Sequence, residues 1–515
     1  MNNNIQNIFG VSGPQLQSIV AEGLRGGGNW CDLYFEHTAY IDLLLRDSQV
    51  GSAGYHIDYG CGIRVLSGEK TGYAYAESTD YASLLEAARA AGSIASAQTG
   101  IGTPAICQAG ACRPRHGSGG TTTVVGSEEL SGFCDPAKIP ESSDSPRAFA
   151  PACHMPGLYP MSIDWREAEI ATFTPFLERL EAEIRRRDSR VVKVVAMLSA
   201  SVSDVMMYNS LGELTTDSRP MGSISVQIVA TQGSKIESRS VGRSLRQGAE
   251  FLTEGLLQQL AAEAVAGMDE SFEASRPKGG KMPVVMAAGA SGILLHEAMG
   301  HAFEADFNRK GTSIFADKMG KRICRNGINI VDDGTIDGNR GAVNIDDEGV
   351  PGQKTYMVTD GVLTSYLHDR ISADYYGVAP TGNGRRESFR YNPIPRMRAT
   401  YMESGTDGSL EGIIGSVKKG IFVDKFSNGQ VKIGEGDFTF YVKSGFMIEN
   451  GRLTRPVKDL NIIGNGPQAL ADIVAVGSDL KVDDGTWTCG KEQSVAVSCG
   501  IPSVLVSKLT VGGGE

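Results

Sequence analysis

The sequence predicts an α+β protein. It has an N-terminal region of antiparallel strands with long helices, then a β-rich C-terminal domain carrying a helix with candidate metal ligands. Three observations carry this reading. Amphipathic helical patterns alternate with period-two apolar runs in the first half of the chain. In the second half Asp360-Gly361, Asn428-Gly429 and Asn450-Gly451 each lie between β-patterned runs, and such dipeptides suit the left-handed backbone of tight hairpins. Finally, 65 glycines in 515 residues imply many turns, which favours sheet over a helical bundle.

Four regions follow from the pattern. Residues 1–97 read as a first α/β subdomain. Ser12-Gly13-Pro14 opens a helix that ends at Gly26–Gly28, with proline in its first turn and glycine past its end. Alternating runs over Asp32–Leu45 and Gly62–Tyr75 follow, and Ser83 caps a helix carrying Leu84, Leu85, Ala88 and Ala91. Residues 98–161 are rich in Gly, Ser, Thr and Pro without periodicity, the mark of an inserted loop or disordered linker. Residues 162–280 form a second α/β subdomain. It contains an amphipathic helix over Trp165–Arg187, β-patterned runs over Val192–Met207 and Ser223–Ala230, and a helix over Gln247–Met268. Residues 281–515 form the β-rich domain, with an opening strand (PVVMAA) and one late helix around Gln468–Val476.

Charge and composition exclude several classes. A net charge of −11 and a pI near 5.3, with no basic run longer than Arg185–Arg187, speak against nucleic acid as a direct partner. No run approaches the roughly 18–20 apolar residues that span a bilayer, so no membrane role is expected. The N-terminus MNNNIQNIFG lacks the basic and apolar regions of a secretory signal. Nine scattered cysteines, an odd number, fit a reducing compartment better than a disulfide framework. The expected location is the cytoplasm.

The chemistry concentrates in SGILLHEAMGHAFEADF. Two histidines, His296 and His301, offer neutral nitrogen ligands, and Glu297 between them is a candidate general base. A zinc ion would supply Lewis acidity and an acidified water, the needs of hydrolysis at neutral pH. The spacing is i, i+5, which on a regular helix separates the side chains by roughly 140° around the axis. The helix must therefore end, unwind or widen into a π-bulge between them, and Gly300 is the place expected for that break. Glu304 reads as an outer acid rather than a ligand. A third ligand is required, and His368 and Cys489 are the candidates; Cys499, in a strand-like run, reads as a buried thiol.

The runs LLHEAMGHAFEADFNRKGTS, VDDGTIDGNRGAVNIDDEGVPGQ, PTGNGRRESFRYNPIPRMRATYM, FMIENGRLTRPVKDLNIIGNG and WTCGKEQSVAV, in this order, resemble the TldD/PmbA family, and within it the metal-bearing TldD branch. The likeness spans nearly all of residues 282–515 and is weaker over 10–100 and 165–275. It implies a zinc metallopeptidase with His296, His301 and Cys489 as ligands and Glu297 as general base. It also implies a heterodimer with a related PmbA/TldE-like subunit, and action on unfolded or short peptides, including leader-peptide removal. Two departures stand out. CGKEQS is one glycine short of the family's CGKEGQS, which bears on strand register after Cys489. The insertion at 98–161 carries Cys107, Cys112, His116, Cys134, Cys153 and His154, whose spacing fits no compact zinc knuckle.

Arg385, Arg386 and Arg390 in GNGRRESFR suit a substrate carboxylate or, equally, an interdomain salt-bridge cluster. Gly464-Asn465-Gly466 reads as a turn, and the acids after Asp337 as turn formers rather than a calcium loop. The alternative to a peptidase is a non-catalytic peptide-binding scaffold. The retained Glu297 argues against it, since a scaffold needs no base beside a metal.

Overall fold

The computed structural model describes residues 2–97, 157–159 and 161–513. The cysteines and histidines of the insertion, from Cys107 to His154, lie outside the described residues. The architecture is mixed α+β, as expected.

The N-terminal half is built on one six-stranded antiparallel sheet. Its strands are β1 (Trp30–Arg46), β2 (Gln49–Ser67), β3 (Lys70–Ala76), β4 (Val191–Asn209), β5 (Leu214–Gln232) and β6 (Lys235–Leu245), in the order β3-β2-β1-β4-β5-β6. The two stretches expected as separate subdomains thus share a sheet, because β1 pairs with β4 from Asp32↔Asn209 to Arg46↔Val195. The sheet carries two apolar cores, and β1 and β4 contribute to both. Helices α1 (Gly13–Leu24) and α2 (Tyr81–Ala97) cover the first with Leu16, Ile19, Leu84 and Ala88. Helices α3 (Thr174–Arg187) and α4 (Glu254–Val265) cover the second with Leu177, Leu180, Leu257 and Leu260.

Local expectations shift where side chains compete for the backbone. The run Gly62–Tyr75 is the end of β2 and all of β3, turned at Gly68 with φ 62°. Asp80, not Ser83, caps α2: its Oδ1 accepts from the Ser83 main-chain N–H at 3.0 Å. The helix expected from Gln247 begins only at Glu254, where Thr253 accepts from Leu256 N at 3.1 Å. Likewise Trp165–Phe173 holds two short 3₁₀ turns before α3 starts.

The C-terminal half holds a seven-stranded and a six-stranded sheet around one large core. Asp360-Gly361 and Asn450-Gly451 turn hairpins with positive φ at both residues. Asn428-Gly429 does not. It lies inside the strand Lys419–Lys432, where Gly429 pairs with Phe440 and the bare α-carbon leaves room for that ring. The late helix spans only Gly466–Ala471 and gives way to the strand Ile473–Val476.

The two halves are joined by buried charges. Arg64, fully buried, donates to Asp32 and to Glu348 at 2.6 Å each, and Arg219 donates to Asp347 at 2.6 Å. Asp346 caps its own turn by accepting from Glu348 N and Val350 N, both at 2.9 Å. The acids read as turn formers therefore do two jobs, and those facing the N-terminal sheet hold the halves together.

Candidate metal centre

The chain reaches the site through Gly280–Met286, a strand of the seven-stranded sheet, and a short helical turn at Ile293–Leu295. From His296 to Gly300 the backbone makes one π-turn, closed by the His301 N–H donating to the His296 carbonyl. That i→i+5 bond stacks residues five apart one turn above each other, which is what the histidine spacing demanded. The two rings lie with centroids 5.3 Å apart and planes at 80°. Gly300 sits where the break was expected, but for a different reason. Its backbone is ordinary right-handed helix (φ −55°), and a Cβ there would lie 2.2 Å from Met397 Sδ. Space, not backbone freedom, requires the glycine.

Cys489 arrives from the far end of the chain on a hairpin of Thr488–Lys491 and Gln493–Ala496. Its Sγ lies 3.1 Å from His301 Nε2. The donor atoms of His296, His301 and Cys489 all lie within 4.8 Å of one another, and all three residues are buried. Arg396 secures the hairpin by donating to the carbonyls of Cys489 and Gln493 at 2.7 Å each. The turn closes tightly at Glu492, which adopts φ 58°, a left-handed backbone that glycine tolerates best.

The charges within the cluster pair a thiolate with a protonated imidazole. Burial pushes the Cys489 thiol up, but His296 and His301 outweigh it and draw it down to about 4, favouring the ligating thiolate. Burial works against charge on His301, yet Glu304 and Cys489 raise it to about 10. Glu304 is completely buried and accepts from His301 Nδ1 at 2.9 Å, which turns Nε2 toward the sulfur. Burial raises the Glu304 carboxyl, but Lys491 at 3.1 Å, His301 and Arg396 together hold it down at about 2. Lys491 also donates to Asp306 at 2.7 Å. Glu297 is partly exposed, with its Oε2 4.0 Å from His301 Nε2.

Whether a metal fits is tested by His296. Both of its ring nitrogens are buried and have no hydrogen-bond partner among the described residues. Such orphaned atoms are costly in an apolar core unless something coordinates them. Two imidazoles and a thiolate form a nitrogen–sulfur donor set that suits zinc, with a fourth position left for water or substrate.

The other candidates go elsewhere. His368 packs against Tyr366 and Tyr376, is pushed down to about 4 by burial, and is not one of the three clustered donors. Cys499 is a buried strand thiol, held well above its ordinary value by desolvation. Arg390 pairs with Asp58 and Glu77, and Arg386 engages Asp347 while lying 4.2 Å over the Tyr34 ring. Arg385 donates only to carbonyls, those of Met397 and Ala496. Sequence reasoning left Glu304 outside the ligand set but did not see its burial, and it missed Lys491, Arg396 and Asp306 altogether. The only hint was charged residues embedded among apolar neighbours in PIPRMRAT and TCGKEQ.

Comparison with known proteins gives the family of the chain. Models of the PmbA/TldA metallopeptidase first, central and C-terminal domains match residues 31–95, 163–267 and 279–513. A metalloprotease TldD homolog of Haemophilus influenzae is 35% identical over 494 residues, covering 94% of this chain and 93% of the relative. A zinc metalloprotease TldD homolog of Saccharolobus solfataricus is 33% identical over 56% of this chain and 65% of its own length. The crystal structure of TldE from Thermococcus kodakarensis has the same fold, with a TM-score of 0.71 at 17% identity over 97% of this chain and all of the other (100%). No helix among the described residues is long and apolar enough to cross a membrane. With paired histidines, a buried thiol and near full-length similarity to metalloproteases, the chain belongs to the PmbA/TldD metallopeptidase family.

Proposed function

We propose that this chain is a zinc-dependent peptidase that hydrolyses unfolded or short peptides in the cytoplasm, with His296, His301 and Cys489 holding the metal and Glu297 as general base. The observation that carries the reading is the convergence of three buried donor atoms within 4.8 Å beside a partly exposed carboxyl. Zinc, when bound, supplies Lewis acidity that acidifies water and polarises a peptide carbonyl. Glu297 takes the proton from the attacking water and passes it to the leaving amine. Glu304 holds the Nδ1 proton of His301, so that a bound metal would displace only the proton on Nε2. Arg396 keeps the Cys489 hairpin in register with the π-turn.

The substrate reading rests on the β-rich surroundings. An extended chain added along a strand edge gains affinity from its backbone with little demand on sequence, so unfolded peptides and leader segments fit and folded domains do not. The family likeness and the TldE fold match support a partnership with a related PmbA/TldE-like subunit.

The test is metal analysis of the purified chain, then hydrolysis of an unstructured peptide by wild type and Glu297→Gln. The variant is expected to keep zinc and lose about 10²–10⁴-fold in rate. Equal rates would remove Glu297 from the mechanism and favour the scaffold alternative. A wild type that takes up no zinc would remove the metal. Equal cleavage of a stable globular protein would remove the unfolded-substrate preference.

A further inference from the structure

A second polar pocket, partly open to solvent, lies between the N-terminal sheet and the C-terminal half. The cavity measures about 190 Å³, and five arginines line it: Arg219, Arg246, Arg385, Arg386 and Arg398. The lining acids are three, namely Glu36, Asp347 and Glu387. They are already engaged. Asp347 pairs with Arg219 at 2.6 Å and accepts from the main-chain N–H of Arg386 at 2.8 Å. Glu36 accepts from Phe389 N and Thr38 Oγ1 at 2.8 Å each, and Glu387 accepts from Ser494 N at 2.6 Å. Behind Arg398, Asp332 is occupied by Arg398 N, Thr400 and Asn383, and Asp346 by main-chain N–H groups.

Among the described residues three of the arginines have no carboxylate in ion-pair contact. Arg385 donates only to backbone carbonyls. Arg398 donates through Nε to the Gly382 carbonyl, and one terminal nitrogen of its fork has no partner. Arg246 is 8% exposed and makes no side-chain hydrogen bond among the described residues; its guanidinium lies 5.4 Å from the Tyr159 ring centre. Burial, together with the positive charges of Arg398, Arg396 and Arg246, pushes Arg385 well below the ordinary guanidinium value. Buried like charges with free donors are unfavourable unless an anion joins them.

The position of the cavity says which anion. Its wall includes Ser494, Val495 and Ala496, and Val495 is the cross-strand partner of Cys489. Met397, whose carbonyl Arg385 holds, is the side chain packed on Gly300 of the π-turn. The cavity and the metal centre therefore share a hairpin and a packing layer.

We propose that this cavity is a carboxylate-binding site for the peptide substrate, with Arg246, Arg385 and Arg398 as its donors. The proposal rests on the peptidase reading above and adds a substrate preference to it: peptides bearing an acidic side chain or a free C-terminal carboxylate. Guanidinium forks match a planar carboxylate in two-point hydrogen bonds.

The test compares matched unstructured peptides on the zinc-loaded full chain, with the free C-terminal acid against the amide, and Asp against Asn. KM and kcat are measured on wild type, and binding by fluorescence anisotropy on Glu297→Gln. Neutralising the recognised carboxylate should weaken binding and raise KM about ten- to a hundredfold. The arm that shows the gap tells a terminal from a side-chain carboxylate. Arg246→Gln should close the gap, while Arg390→Gln, which lies outside the cavity wall, should leave it open. The peptide comparison needs no substitution, so a misfolded variant cannot rescue or hide the result. Equal KM for all peptides, with cleavage intact, overturns this site alone. A wild type that cuts none of them overturns the peptidase reading and this site with it. Binding of inorganic phosphate with no acid–amide difference assigns the cavity to a free anion and overturns the proposal.

Discussion

His301 Nε2 lies 3.1 Å from Cys489 Sγ, although the two residues are 188 positions apart in the chain. Neither is held by its own neighbours alone. Glu304 sets the His301 ring from the Nδ1 side, and Arg396 sets the hairpin through the Cys489 carbonyl. The two supports meet, since Arg396 Nε lies 3.7 Å from Glu304 Oε1.

Glu304→Gln is therefore expected to weaken zinc binding by about ten- to a hundredfold, because the ring loses its charged orienting partner. It should also lower stability by about 3–5 kcal/mol, since Lys491 is left buried with less countercharge. A competitive chelator titration reads the first effect and thermal unfolding the second. Unchanged zinc affinity would mean that Glu304 serves packing alone.

Gly300→Ala sets two effects against each other. Alanine is favoured over glycine in a helix by about 0.5–1 kcal/mol. Against that, its Cβ would meet Met397 Sδ at 2.2 Å in a fully buried position, and such overpacking costs about 1–3 kcal/mol. The steric term should win, giving a net loss of stability and weaker zinc uptake. Adding Met397→Ala should restore the room and part of the zinc affinity; failure to do so would locate the effect elsewhere.

Arg64→Met should be among the most destabilising changes outside the metal centre. It removes the guanidinium that joins Asp32 and Glu348 where the two halves meet, a loss of about 3–5 kcal/mol. The unfolding midpoint measures it. Adding Glu348→Gln to Arg64→Met should recover part of the loss, because one unpaired buried charge is removed with its partner.

Glu36 gives a pH signature. Burial raises its carboxyl from 4.5 to about 7, against the hydrogen bonds from Thr38 and Phe389 that lower it. The folded state then holds a proton that the unfolded state has released, so stability falls as pH rises from about 4.5 to about 7. Glu36→Gln should flatten this slope and gain about 1–3 kcal/mol at pH 8 relative to wild type. An equal change in unfolding free energy from pH 5 to pH 8 in wild type and Glu36→Gln would show that Glu36 does not titrate in that window.

Much of the local structure was legible because it follows from short-range rules. Proline at the start of α1 and glycine after its end bracketed that helix, and Asp360-Gly361 and Asn450-Gly451 marked real hairpins. Asn428-Gly429 misled because a facing aromatic, Phe440, can require a glycine as strictly as a turn can. The expected helix at Gln247 failed over its first turn for a similar reason. Residues Gln247–Leu252 are engaged by distant groups, with the Gln247 carbonyl accepting from the Trp165 indole at 2.8 Å.

By itself the sequence determined the α+β class, the candidate histidine pair with its glutamate, and the need for a widened turn if two histidines five residues apart are to face one point. These are consequences of backbone periodicity and side-chain chemistry, which a linear chain displays. Only the tertiary structure decided that Cys489 rather than His368 completes the donor cluster, and that Gly300 is required for space. The same is true of Arg390 and Arg386, which bind acids of the protein itself, while Arg385 joins Arg246 and Arg398 around a cavity. Each of these depends on which distant segments meet and which charges find partners, and burial sets that balance through packing rather than spacing.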